Sequence, residues 1–109
     1  MNEFEAVFAD LLERHRLPRP RFNPDLVVGG RHFRPDCAWV ERGVAVELDG
    51  RSVHVTRRAF EADRERDRIF SANGWRVVRV TWRQLTDAPE AIVRDLRRVL
   101  GLSPVFATA

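Results

Sequence analysis

An α/β domain, with a central mixed sheet of about four or five strands flanked by helices, is the fold class that the sequence predicts. Three observations carry it. Apolar residues recur at three- and four-residue steps near both ends, Phe4, Val7, Phe8, Leu11 and Leu12 in one stretch and Ile92, Val93, Leu96, Val99 and Leu100 in the other, which is the stripe of an amphipathic helix. Two runs rich in β-branched residues, Val44 to Asp49 and Trp75 to Thr81, read as strands. A long charged stretch separates them, so the connection is a strand–helix–strand crossover and the two strands are expected to be parallel.

The first helix is expected from Asn2 to Arg16, with Asn2 as its cap and Glu3 and Glu5 in the first turn, where the helix dipole favours acids. Leu17-Pro18-Arg19-Pro20 stops it, because a proline cannot donate within a helix and pushes its predecessor into extended backbone. A hairpin follows, in which Asp25-Leu26-Val27-Val28 and Arg31-His32-Phe33-Arg34 flank Gly29-Gly30, a pair suited to the positive φ of a two-residue turn. Pro35 to Val40 and Val44 to Asp49, separated by Glu41-Arg42-Gly43, read as a second hairpin whose strands continue the sheet. In its second strand Val44, Val46 and Leu48 share one face while Ala45, Glu47 and Asp49 share the other. Arg57 to Asn73 is the charged helix, with Ala59, Phe60, Ala62, Ile69 and Phe70 as the expected inner face and Asn73-Gly74 as its C-cap. A last helix spans Pro89 to Leu100 and ends at Gly101. One domain over 1–101 and a loosely held tail over 102–109 are therefore expected.

The 109 residues suit one domain and leave no room for a second. A hydrophobic content of 44% argues against disorder. The single cysteine, Cys37, cannot form an internal disulfide, and the acidic start Met1-Asn2-Glu3-Phe4-Glu5 lacks the basic region and long apolar run of a signal peptide, so a reducing cytoplasm is expected. No run approaches the roughly 18 to 20 apolar residues of a membrane span. All 19 basic side chains are arginine, which excludes any mechanism that needs a catalytic lysine. The planar arginine fork suits phosphate and leans the composition toward nucleic acid. Against that lean, a GC-rich genome gives the same bias, and 16 acidic residues leave a net charge of only +3.

Pro35-Asp36, then Glu47-Leu48-Asp49, then His54 put three carboxylates and an imidazole on or just beyond adjacent strands. Carboxylates that converge repel one another, and a divalent cation with oxygen ligands is the plain remedy. Mg²⁺ suits the arrangement, since it is commonly held by one or two carboxylates plus waters and substrate phosphates. Each residue also has a structural reading. Asp36 can be a strand-start residue in a turn after Pro35; Glu47, set in an apolar strand, needs either a metal or an arginine partner. Asp49-Gly50 is either a turn or a ligand site, Glu5 is a favourable charge at a helix N-terminus, and His54 is a strand-end histidine or a site residue. His15 and His32 are assigned to the surface. The alternating signs from Arg57 to Arg68 read first as a solvated helix face laced with ion pairs, which covers Glu61 and Glu65. Asp63, Arg66 and Asp67 have a second reading, as residues that face the sheet and order the site. Trp39, Trp75 and Trp82 are assigned to the core and Cys37 to a small buried position.

At this point the residues resemble a family. Pro35-Asp36 with Glu47-Leu48-Asp49 looks like the PD-(D/E)xK nuclease signature, and the order of elements is similar to that restriction-endonuclease-like core. The closer likeness is to short domains related to very-short-patch-repair (Vsr) endonucleases. It is carried by Glu47-Leu48-Asp49-Gly50 with His54, by Asp63 with Arg66-Asp67, and by Gly74-Trp75-Arg76-Val77-Val78-Arg79, and it runs from about Asn2 to Leu100. The resemblance implies hydrolysis of phosphodiester bonds, of DNA before RNA, with Mg²⁺ or Mn²⁺. It implies Asp36 and Glu47 as metal ligands, the carbonyl of Leu48 as a third, and Glu5 as an outer ligand or an orienting group. His54 would serve as general base or acid, its ordinary pKa of about 6.5 being suited to proton transfer. The sequence departs from the superfamily at Asp49, where a lysine is frequent; a carboxylate there could bind a second ion. Arg51, Arg57 and Arg58 are the candidate nucleic-acid contacts, and specificity is open to supply by a homodimer or a partner domain. Two functions are carried forward: a metal-dependent nuclease, and a catalytically degenerate module of the same fold that binds nucleic acid or a protein partner.

Overall fold

Helix α1 (Glu3–Arg14) begins at a capping box, in which Asn2 Oδ1 accepts the Glu5 N–H at 2.8 Å and Glu5 Oε1 accepts the Asn2 N–H at 3.2 Å. It ends short of Arg16, which turns the chain at φ 58°. The computed structural model, which describes residues 1–50 and 56–102, continues with β1 (Arg21–Phe22), β2 (Leu26–Val28), β3 (Arg31–Phe33), β4 (Cys37–Trp39) and β5 (Val44–Asp49). Then come α2 (Arg57–Ala72), β6 (Arg76–Thr81), α3 (Trp82–Asp87) and α4 (Pro89–Val99). Leu102 lies beyond the last helix, and the rest of the expected tail lies outside the described residues. Among the described residues no helix is long and apolar enough to cross a membrane.

The main sheet is mixed and four-stranded, in the order β1-β4-β5-β6. β1 and β5 each run antiparallel to β4, while β5 and β6 are parallel, as the crossover through α2 requires. One strand differs from expectation. The Gly29-Gly30 hairpin forms a two-stranded sheet of its own, and the fourth strand of the main sheet is Arg21–Phe22. Two residues are too few to show an alternating pattern, which is why β1 left no signal. The hairpin instead covers one face of the main sheet. Its Leu26 and Val28 are buried together with Ala38, Ala45 and Phe70, with Phe33, Ile69, Trp75 and Val77 packed against them. Gly29, at φ 58°, lies so close to α2 that a Cβ would fall 2.9 Å from Asn73 Nδ2 and 3.1 Å from Ile69 Cγ2, so the turn favours glycine and any side chain there would have to displace Asn73 and Ile69.

The opposite face of the sheet carries the larger core. Phe8, Leu11 and Leu12 of α1 pack there with Cys37, Trp39, Val44, Val46 and Val80 of the strands and with Leu85, Ile92, Val93 and Leu96 of the last two helices. Burial raises the Cys37 thiol pKa, and the nearby Asp36, Glu47 and Glu5 raise it further, so Cys37 is an inert core residue.

Helix α2 corrects a second expectation. Ala59 and Ala62 are exposed, Phe60 is 47% exposed, and Phe70 is the helix's buried residue. Before Ile69 the partly buried positions of the helix are Asp63, Arg66 and Asp67. They recur at helical spacing with Phe70, so one stripe passes from charged to apolar along its length. The sheet beneath changes in the same direction, since Glu47, Asp49 and Arg79 continue the face on which Ala45 and Val77 lie. A helix that meets charged strand ends must present charges there, and an apolar stripe was the wrong pattern to seek.

Candidate active site

The site begins where the β4–β5 ladder stops. Its last pair is Cys37 with Val46, and one further step in register sets Asp36 opposite Glu47. Another step would set Pro35 against Leu48, and proline has no N–H to give to a neighbouring strand. The Asp36 carboxylate takes over, with Oδ2 accepting the Leu48 N–H at 2.6 Å. The N–H and C=O of one strand residue leave the same edge, so the Leu48 carbonyl is directed to the side on which Asp36 lies. The Asp36 N–H lies 3.4 Å from Glu47 Oε2. Asp36 is also tied to α1, because the Asn23 N–H donates to its carbonyl at 2.9 Å and Asn23 Nδ2 donates to Glu5 Oε2 at 3.2 Å. Glu5 is buried, at 4% exposure, and it both caps α1 and anchors the Asn23 turn.

A second layer of charge comes from α2 and β6. Parallel pairing places Arg79 beside Glu47 and Thr81 beside Asp49. Arg66 Nη2 lies 3.0 Å from Glu47 Oε1 and 3.1 Å from Asp63 Oδ1. Arg79 holds Asp67 with two nitrogens, at 2.9 and 3.3 Å, and reaches Asp49 Oδ1 at 3.3 Å. Five carboxylates, those of Asp36, Glu47, Asp49, Asp63 and Asp67, thus surround two guanidinium groups.

The imbalance appears in the titration of the central pair. Burial is the main reason that the Glu47 carboxyl is pushed up to about 7; Arg66 pulls it down, and Asp36 pushes it further up. Burial likewise raises Asp36, the Leu48 N–H opposes it, and Glu5 and Asp49 add repulsion. These two side chains offer hard oxygen donors. Among the described residues no group of three or more His, Cys, Asp or Glu side chains is arranged to hold a metal. A two-carboxylate set fits Mg²⁺ or Mn²⁺, whose other positions are filled by water, carbonyl and phosphate oxygens, better than it fits a closed zinc site.

Of the residues singled out in the sequence, Asp36, Glu47, Leu48, Asp49, Asp63, Arg66 and Asp67 come together at this end of the sheet. For Asp63, Arg66 and Asp67 the sheet-facing alternative is the one observed, and Glu65 pairs at the surface with Arg31 at 2.9 Å. Glu47 has the arginine partner that its burial demanded. Arg57 and Arg58 are exposed in the first turn of α2, and Arg51 and His54 lie outside the described residues. Arg79 and Asn23 were not among the candidates. Arg79 carries the same signal as Glu47, a charge on the inward face of a β-branched strand. Asn23 has only its φ of 51° to distinguish it, which no sequence pattern shows.

This arrangement sits on a fold shared with a known endonuclease. The catalytic domain of the homing endonuclease I-Bth0305I is similar over 89% of this chain and 93% of that chain, with a TM-score of 0.65 and 14% identity. Among curated proteins nothing matches the sequence. The model of REase_MTES_1575 matches residues 4–100. That span takes in α1 from its second residue, every strand, the hairpin and α4, and so the chain belongs to the REase_MTES_1575 family of restriction endonucleases.

Proposed function

We propose that this chain is a DNA endonuclease that hydrolyses phosphodiester bonds with Mg²⁺ or Mn²⁺ held by Asp36, Glu47 and the carbonyl of Leu48. The observation that carries the reading is the apposition of Asp36 and Glu47 at the end of the ladder, where burial and mutual repulsion disfavour both charged forms. Two carboxylates are stable in such a place when a cation accompanies them. The bound ion supplies electrostatic stabilisation of the phosphate and a nucleophile at neutral pH. The chain's own residues hold the donors in place: the Leu48 N–H fixes Asp36, Asn23 and Glu5 fix the turn that bears it, and the Arg79 clamp fixes α2 over the sheet. His54 is proposed to transfer a proton, and Arg51, Arg57 and Arg58 to hold the nucleic-acid backbone. Family membership and the likeness to an endonuclease catalytic domain support the reading. The finer likeness to Vsr-related domains, resting on Asp63 and Arg66-Asp67, is part of the same proposal.

One observation favours a second reading. Arg66 already pairs with Glu47 at 3.0 Å, and a side-chain cation in that place is what a non-catalytic nucleic-acid-binding module of this fold would need to dispense with metal. Nicking of supercoiled plasmid separates the two. The nuclease reading expects nicking in Mn²⁺ or Mg²⁺ that EDTA abolishes and that Asp36→Asn and Glu47→Gln both lose. A wild-type protein that binds plasmid, single strands and mismatched duplex yet cuts none of them belongs to the second reading.

A further inference from the structure

The two arginines of the site are used differently. Arg79 commits every nitrogen of its guanidinium, with Nε and Nη2 on Asp67 and Nη1 on Asp49. Arg66 makes both of its ion pairs through one nitrogen, Nη2, which lies between Glu47 Oε1 at 3.0 Å and Asp63 Oδ1 at 3.1 Å. Its Nε and Nη1 donate no hydrogen bond among the described residues. The side chain is 23% exposed, so a ligand can reach it from solvent. The two carboxylates fix its position, and a fixed guanidinium loses little entropy when it takes up another acceptor.

A phosphate group that approaches Glu47 enters a field with more carboxylates than guanidinium groups. Asp36, Asp49, Asp63 and Asp67 all lie around it, and the chain contains no lysine to offset them. Beside the cation held by Asp36 and Glu47, a side-chain donor at this end of the sheet offsets that field. Each nitrogen of Arg79 is already held to a carboxylate, which leaves it one N–H on each Nη, whereas Arg66 keeps the N–H groups of Nε and Nη1. We propose that Arg66 is the residue that contacts the phosphate to be cleaved, donating from Nη1 and Nε while Nη2 stays on Glu47 and Asp63. The assignment rests on the nuclease reading. It makes Arg66 a substrate-binding residue, not merely a counter-ion for Glu47.

The test is the binding of a fluorescently labelled duplex in Ca²⁺ over a series of salt concentrations, for wild type, Arg66→Gln and Arg66→Lys, beside the thermal shift that Mg²⁺ causes in each. A charge-assisted hydrogen bond to phosphate corresponds to a loss of about 10- to 100-fold in affinity for Arg66→Gln. Losing one phosphate contact also lowers the slope of log affinity against log salt by about 0.9. Arg66→Lys keeps the charge, and with it the slope, but loses affinity by roughly 5- to 10-fold because its point charge lacks the planar fork. The Mg²⁺ shift persists in both variants, since Asp36 and Glu47 remain. A purely structural role would not move the salt slope, so Arg66→Gln with wild-type affinity and slope overturns the assignment. If Arg66→Gln fails to fold, Arg66→Lys decides, and wild-type affinity there overturns it equally. Wild type that neither binds nor cuts removes the nuclease reading and this assignment together; intact wild type with indifferent variants removes the assignment alone.

Discussion

Arg79 and Asp67 meet as a fork on a carboxylate, Nη2 to Oδ1 at 2.9 Å and Nε to Oδ2 at 3.3 Å, and the pair ties β6 to α2. Two parallel contacts fix orientation as well as distance. The same guanidinium reaches Asp49 at 3.3 Å and lies 3.9 Å from Asp63, so one side chain compensates carboxylates from a neighbouring strand and from the helix above it. Burial works against its charge, yet the hydrogen bond it donates to Asp67 and the attraction of Asp67, Asp49 and Asp63 hold its pKa above the ordinary arginine value.

Removal of this clamp leaves carboxylates facing one another in a half-buried interface. Arg79→Ala is expected to lower stability by about 2–4 kcal/mol, toward the range seen when one partner of a buried pair is deleted and less where water screens the remainder. Arg64 also reaches Asp67, at 3.1 Å, but its side chain is 48% exposed. Arg64→Ala should therefore stay within about 0.5 kcal/mol of wild type. Urea unfolding of the two variants checks this, and equal midpoints would show that the clamp contributes no more than a surface pair.

Glu47 shows how much of the site the sequence disclosed. A charge placed in the run from Val44 to Leu48 has no tolerable buried environment without a partner, and that argument located both the residue and its need for a cation or arginine. The strand's alternation assigned Glu47 and Asp49 to the face that α2 covers. Which partner Glu47 receives depends on register between β5, β6 and α2, and register is a tertiary property. Arg79 shows the cost of applying the argument only once, for it sits on the inward face of β6 as Glu47 does on β5. The start of α2 lacks the expected apolar inner face because an amphipathic stripe presupposes an apolar partner surface, and here the opposing surface is ionic.

Metal binding should be visible without any substrate. A ligand that binds only the folded state stabilises it by about 2.7 kcal/mol at a hundredfold excess over its dissociation constant. For a domain of this size that corresponds to a rise in melting temperature of roughly 10 °C or more. Relief of the repulsion between Asp36 and Glu47 acts in the same direction. Scanning calorimetry at near-neutral pH should show the rise for wild type in Mg²⁺ or Mn²⁺, its reversal by EDTA, and its absence in Asp36→Asn and Glu47→Gln. Equal shifts in wild type and both variants would place the ion elsewhere.

The pH dependence of stability tests the same pair without metal. Unfolded Glu47 releases its proton near 4.5, whereas in the folded protein burial, with Asp36 beside it, raises the carboxyl to about 7 even though Arg66 draws it down. Between those values the folded state binds more protons than the unfolded state, so stability falls as pH rises through the window. At about 1.4 kcal/mol per unit, the decline attributable to Glu47 is of order 3 kcal/mol, complete once the pH exceeds the folded value. Asp36, also raised by burial, adds to the decline at the acidic end. Glu47→Gln has no proton to exchange, so its unfolding free energy should vary less between about pH 4 and 8 and should exceed that of wild type at the alkaline end. Saturating Mg²⁺ binds the deprotonated carboxylates, and it should flatten or reverse the wild-type slope while leaving that of Glu47→Gln unchanged. Urea titrations at stepped pH measure all of these, and parallel profiles for the two proteins in EDTA would mean that Glu47 is ionised in the folded state at ordinary carboxylate pH.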